Sequence, residues 1–345
     1  MSTVDVFVPN YNYAHYLRAT IDSALAQEGV DLRVVVVDNA STDDSIEVIE
    51  AAMAADPRVH LIRHERNLGL ITSLNEGLEW AKGDYAVNLS ADDVLAPGWL
   101  ARAVEALDGH PEAAFTFGRA RLFSEAIPGA LTRLRSRSLL YEGAQFISST
   151  CSAGRNPIRS PEGVFRVSTA REAGGFSPVL PYSSDMGLWL RLASRGSVLE
   201  LRGPVAAFYR MHGSNLSTGN HLQALSDLQY PLAAIEEWFA HDGELVAGSA
   251  AMVLAAKKKL ARIALGRALV AFLREPGSPA DPLFEQMLKF SLENDPSTLP
   301  QVMRLRRIAA RNGVQVVRDS LLPLTRSAIR LRRAALAARI RRGLA

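Results

Sequence analysis

Gly83-Asp84-Tyr85-Ala86-Val87-Asn88-Leu89-Ser90-Ala91-Asp92-Asp93 is the stretch on which the fold turns. An apolar run that ends in paired carboxylates reads as a buried strand delivering acids to a turn, and Pro97 beyond them suits the start of a helix. Outward from it, residues 4–8, 32–37 and 59–62 are β-branched runs of the same kind. Between these runs Leu17, Ile21 and Leu25 recur every four residues after Asn12, which predicts a helix with Asn12 as its cap. Ile46, Ile49 and Met53 follow Ser41-Thr42-Asp43-Asp44, a capping-box pattern. The order βαβαβαβ predicts an α/β domain with a mostly parallel central sheet, covered on both faces.

Such sheets bind ligands at the carboxyl ends of their strands. The residues found there are Pro9, Asn10, Tyr11 and Asn12, then Asp38 and Asn39, then Arg66 and Asn67, then Ser90, Ala91, Asp92 and Asp93. Carboxylates in such a turn can hold Mg²⁺ or Mn²⁺ with few protein ligands, water and diphosphate oxygens filling the rest. Read alone, a short acidic turn caps a helix equally well.

A chain of 345 residues with 48% apolar content can bury two cores. The expected division is 1–219, with 1–95 the ligand-binding half and 96–219 an acceptor-binding half, followed by an α-helical region, 220–345. Cys151 is the single cysteine, which excludes a disulfide framework and a cysteine zinc site and fits a reducing cytoplasm. The first residues lack the pattern of a signal peptide. The apolar stretch 250–273 is broken by Lys257, Lys258, Lys259, Arg262 and Arg267, too many charges for a spanning helix.

From Arg304 onward twelve arginines face one acid, Asp319, so this tail carries +11 in a chain of net charge +3 and the remainder carries −8. Basic charge confined to an appendage argues against a nucleic-acid-binding core. Leu322, Ile329, Leu336 and Ile340 cluster on a helical wheel away from most of the arginines, which predicts a basic amphipathic helix. Its expected partner is either an anionic membrane surface, at the inner face of the cell membrane, or the acidic domain of its own or a neighbouring chain.

Taken in order, Phe7 to Asn12, Val37 to Ser45, Asn67-Leu68-Gly69, Gly83-Asp84-Tyr85 and Ser90 to Asp93 resemble the family 2 glycosyltransferases of the GT-A fold. The likeness continues through Gly174-Gly175-Phe176, Ser184 to Leu192 and Tyr209 to Ser217, and so covers roughly residues 3–217. The resemblance implies a GT-A type nucleotide-binding fold and an inverting, metal-dependent transfer of a sugar from a nucleotide donor to a glycan, lipid-linked or small-molecule acceptor. It places Pro9, Asn10, Tyr11, Asp38, Asn39, Asn67, Ser90, Ala91 and Asp92 at the nucleotide. It assigns the metal to Asp92 and His212, the general base to Asp185, and a diphosphate or supporting role to Asp93 and Arg210.

Two positions depart from the family pattern. Ser90 stands where the first acid of the metal motif is usual, which implies a weaker metal site. Asn39 stands where an acid commonly recognises the base; its amide oxygen can accept from a uracil or thymine N3–H, and its nitrogen can donate. UDP- or dTDP-sugars are the favoured donors, and surface polysaccharide or secondary-metabolite glycosylation in a bacterium is the expected setting. A sugar nucleotidyltransferase would need a glycine-rich loop after the first strand, and Pro9 to Asn12 contains no glycine. The alternative is a degenerate nucleotide-sugar-binding scaffold, against which Asp92 and Asp185 count.

Overall fold

The computed structural model describes residues 2–127, 136–213, 223–274 and 282–310. Its first half alternates as expected: β1 (Thr3–Asn10), α1 (Ala14–Leu25), β2 (Asp31–Asp38), α2 (Ser45–Ala55), β3 (Val59–Arg63), α3 (Leu70–Trp80) and β4 (Tyr85–Asn88). The strands lie in the order β3-β2-β1-β4 and all pair in parallel. Val34, Val35, Val36 and Val37 are fully buried, because helices cover both faces and an unbroken β-branched run can then replace the usual alternation. Helix α3 approaches β1 through Gly77, where an added Cβ would lie 2.7 Å from the Phe7 side chain.

Beyond the acidic turn come β5 (Val94–Leu95), α4 (Trp99–Asp108), β6 (Ala113–Phe117), β7 (Ala120–Phe123), β8 (Arg137–Tyr141) and α5 (Gly143–Ala153). These are followed by β9 (Gly163–Arg166), α6 (Val167–Glu172), α7 (Ser184–Ala193), β10 (Ser197–Arg202) and β11 (Ala207–Arg210). The main sheet continues past β4 as β9-β6-β10-β8, with β9 antiparallel to both neighbours and β8 antiparallel to β10. It is therefore mostly parallel. A second sheet, β5-β11-β7, brings the carboxyl end of β11 beside the acidic turn.

The remaining described elements are helical: α8 (Gln223–Asp242), α9 (Ser249–Arg274), α10 (Pro282–Asn294) and α11 (Leu299–Ala310). The chain divides into two compact units, residues 1–218 with 233–253, and residues 219–232 with 254–345. Residues 233–253, expected on the far side of a boundary near Gly219, therefore belong with the first unit. Trp238 is fully buried there and its indole N–H donates to Ser194 Oγ at 2.7 Å, while Arg195 pairs with Asp242 at 2.9 Å. Helical periodicity reveals an apolar face but not the core it enters. The second unit has its own core, in which Leu228, Leu260, Ala264, Ala268, Leu288 and Val302 pack together.

The basic tail with Leu322, Ile329, Leu336 and Ile340 lies outside the described residues. Among the described residues no helix is long and apolar enough to cross a membrane.

Candidate active site

Strand β4 carries its chain inside the sheet up to Leu89, and the turn that follows is closed by the Asp93 amide donating to Ser90 O at 3.0 Å. Helix α1 holds this turn from beside it: the Thr20 hydroxyl lies 2.8 Å from both Ala91 O and Asp93 O, Ser23 Oγ accepts from the Leu95 amide, and Gln27 reaches Ala96 O. Asp92 Oδ2 then meets His212 Nε2 at 2.9 Å across 120 residues of sequence. Asp93 is 1% exposed; its Oδ1 accepts from the Arg210 amide at 2.8 Å and its Oδ2 has no hydrogen-bond partner among the described residues. Burial, then the neighbouring Asp92 charge, pushes the Asp93 carboxyl well above the usual carboxylate range.

Arg210 is a clamp rather than an exposed cation. Its Nε donates to Asp92 O at 2.9 Å, and its guanidinium lies 4.2 Å from the Tyr16 ring centre and 4.4 Å from that of Phe123. Tyr13 and Tyr16 also pack against the His212 ring, at 5.8 and 5.2 Å. Desolvation, with the Asp92 charge second, pushes the Tyr13 phenol up to about 12, so it stays a neutral donor beside the acids.

At the ends of β1 and β2 the predicted residues form two groups. Asn10 donates to Asp38 Oδ1 at 2.8 Å and to Ser41 Oγ at 3.2 Å, while Ser41 donates back to Asp38, so Asn10 and Asp38 latch the two loops together. Asn39 instead joins Asn67, donating to its Oδ1 at 2.8 Å. Tyr11 is 43% exposed with its ring available for stacking, and Pro9 and Ser90 are part-buried. Asn12 does not cap α1: it adopts φ +60° and accepts from the Thr42 amide, and Asp43 accepts from the Ala14 amide at the head of that helix instead. Local spacing pointed to Asn12, whereas the cap comes from a loop made adjacent only by the sheet.

Asp185 opens α7, where Oδ1 accepts from the Met186 amide at 2.7 Å and Oδ2 accepts from Asn156 Nδ2 at 2.8 Å. Asn156 Oδ1 accepts in turn from the Ile158 amide, an obligate donor that fixes which way the amide faces. Desolvation raises the Asp185 carboxyl to about 6, against the hydrogen bonds from Met186, Asn156 and Ser160. The loop carrying Asn156 and Ser160 is tied to β7 by buried Glu162, which accepts from the Arg159 and Ala120 amides. Arg159 sits over the Tyr209 ring at 5.7 Å, and its charge acts on Asp93, so this loop links the surroundings of Asp185 to the acidic turn.

The sequence reading singles out the acidic turn and Asp185 but not the side chains that the structure packs or hydrogen-bonds around them, Tyr13, Tyr16, Thr20, Asn156 and Ser160. The density of aromatic and histidine side chains from Tyr11 to Tyr16 was a signal; the Asn156 loop has none. Among the described residues no three His, Cys, Asp or Glu side chains gather as metal ligands.

Residues 5–158 match the family described as glycosyl transferase family 2. An uncharacterized glycosyltransferase of Haemophilus influenzae is 27% identical over 224 residues, covering 64% of this chain and 69% of that protein. The succinoglycan biosynthesis protein ExoO of Rhizobium meliloti is 34% identical over 164 residues, covering 45% of this chain and less than half, 47%, of that protein. The crystal structure of S. aureus TarS 1-349 in complex with UDP-GlcNAc aligns with a TM-score of 0.63 at 16% identity, over 93% of this chain and 92% of that one. The family match covers the ends of β1, β2 and β4 where the predicted nucleotide residues lie, and the fold extends around them as in TarS: residues 5–158 are similar to glycosyl transferase family 2, and the chain has a GT-A fold.

Proposed function

We propose that this chain is an inverting glycosyltransferase that moves a sugar from a nucleoside-diphosphate donor to an acceptor hydroxyl, in the assembly of a bacterial surface polysaccharide or a related glycoside. The observation that carries the reading is the meeting of Asp92 and His212 at 2.9 Å at the carboxyl end of β4, braced by α1 and β11. Tyr11 supplies a stacking face for the base, and Asn39, Asn67, Ser90 and Ala91 line the nucleotide beside it.

A carboxylate oxygen and an imidazole nitrogen this close fit a divalent cation that takes its other ligands from diphosphate and water. Asp92 and His212 would hold Mg²⁺ or Mn²⁺, which when bound offsets the charge of the departing diphosphate. Asp93 and Arg210 keep this pair in place. Asp185 takes the proton from the acceptor hydroxyl as that oxygen bonds to the anomeric carbon, and the bond to the diphosphate breaks with its electron pair going to the leaving oxygen. One carboxylate suffices for a single displacement, which inverts the anomeric centre.

The test is calorimetry of UDP, dTDP, GDP, CDP and ADP with and without Mn²⁺. Wild type should bind at least one with metal dependence, and Asp92→Ala should weaken that binding on the order of a hundredfold. Asp185→Asn should bind nucleotide normally while donor turnover falls roughly a hundredfold or more. Absence of nucleotide binding by wild type under every condition would sink the transferase reading and favour a scaffold.

A further inference from the structure

Asn39 is 4% exposed at the end of β2, and the groups around its amide determine which way it faces. The Leu68 amide lies 2.7 Å from Asn39 Oδ1. A backbone N–H can only donate, so the atom it meets is oxygen whichever way the amide is drawn. His64 Nδ1 lies 2.9 Å from the same oxygen and therefore carries a proton. On the other side of the ring, His64 Nε2 shares a hydrogen bond of 2.5 Å with Glu76 Oε2 on α3. Asn39 Nδ2 donates to Asn67 Oδ1, whose identity is fixed in turn by the Gly69 amide at 2.9 Å.

Both lone pairs of the Asn39 oxygen are thus taken by protein donors, and one N–H of its nitrogen is taken by Asn67. What the residue retains for a ligand is the second N–H. We infer that Asn39 reads the nucleobase as a hydrogen-bond donor, held in that orientation by the positioning residues His64 and Glu76, and so selects bases with a carbonyl where others carry an amino group. The inference rests on the nucleotide-donor reading above. Of the two polarities that the sequence leaves open, acceptance from N3–H by the amide oxygen and donation by the nitrogen, it selects the second. Uracil, thymine and guanine bring a carbonyl oxygen to such a donor; cytosine and adenine bring an amino group, placing donor against donor.

The experiment measures UDP and CDP affinity for the full chain, for Asn39→Asp and for His64→Ala. Wild type should prefer UDP by about tenfold or more. Asn39→Asp replaces the donor by an acceptor and should reverse the preference, weakening UDP and strengthening CDP. His64→Ala removes one of the two donors that occupy the amide oxygen, loosening its hold and freeing a lone pair, and should narrow the UDP-to-CDP ratio, a readout that simple loss of stability would not move. Stronger UDP binding by Asn39→Asp would show that the oxygen face reads N3–H, and an equal loss for both nucleotides would reduce Asn39 to a structural role; either result overturns the inference. Failure of wild type to bind any nucleoside diphosphate overturns the donor reading itself, which is a separate outcome.

Discussion

As the proposed base, Asp185 must be ionised to accept a proton, and burial works against that by raising its carboxyl to about 6. A base with a raised pKa is inactive below it, so kcat/KM should climb about tenfold per pH unit up to roughly pH 6 and level off above. Asn156 lowers that threshold, because its N–H donates to Oδ2 and favours the charged form. Asn156→Ala should therefore move the acid limb of the pH–rate profile upward by about one pH unit, the worth of one hydrogen bond to a charged group. Activity at pH 6 should fall more than activity at pH 8. A profile that drops uniformly without moving would mean that Asn156 acts only on packing.

Four strands and three helices were legible as elements because each carries its period within a few residues: valine runs for β1 and β2, a four-residue repeat for α1. The acidic turn was legible for the same reason, since Asp92 and Asp93 follow β4 directly. What α1 does was not legible. Leu17, Ile21 and Leu25 announce one face, whereas Tyr16, Thr20, Ser23 and Gln27 turn toward the acidic turn and β11 through partners distant in sequence. Short β9 escaped for a related reason: four residues contain too little alternation to mark a strand, and its place between β4 and β6 depends on crossovers. Its first residue, Gly163, is packed so closely on α7 that an added Cβ would lie 2.5 Å from the Trp189 ring. Trp189 is almost fully buried against Phe115 and Phe165, so the ring has little room to yield. Gly163→Ala should cost about 1–3 kcal/mol in denaturant unfolding. Because α7 carries Asp185, kcat should fall with nucleotide affinity little changed. Unaltered stability would show that Trp189 can shift after all.

At the scale of the molecule, the division into two units bears on where the catalytic part ends. Residues 233–253 follow a segment assigned to the helical unit, yet Ala234, Ile235 and Trp238 are fully buried in the first unit, and Asp242 closes on Arg195 at the end of α7. Donor binding should stabilise whichever unit contains the nucleotide site, so the unfolding transition that moves when nucleotide and Mn²⁺ are added identifies the catalytic unit. Truncating a buried tryptophan destabilises the core around it by about 3–5 kcal/mol, through lost burial and the cavity left behind. Trp238→Ala should therefore lower the midpoint of that nucleotide-sensitive transition and no other, while nucleotide affinity below the transition stays near that of wild type, since Trp238 bonds Ser194 just past the end of α7 opposite to Asp185. If only a nucleotide-insensitive transition moved, residues 233–253 would belong energetically to the helical unit, and the boundary near Gly219 expected from the change in sequence pattern would stand.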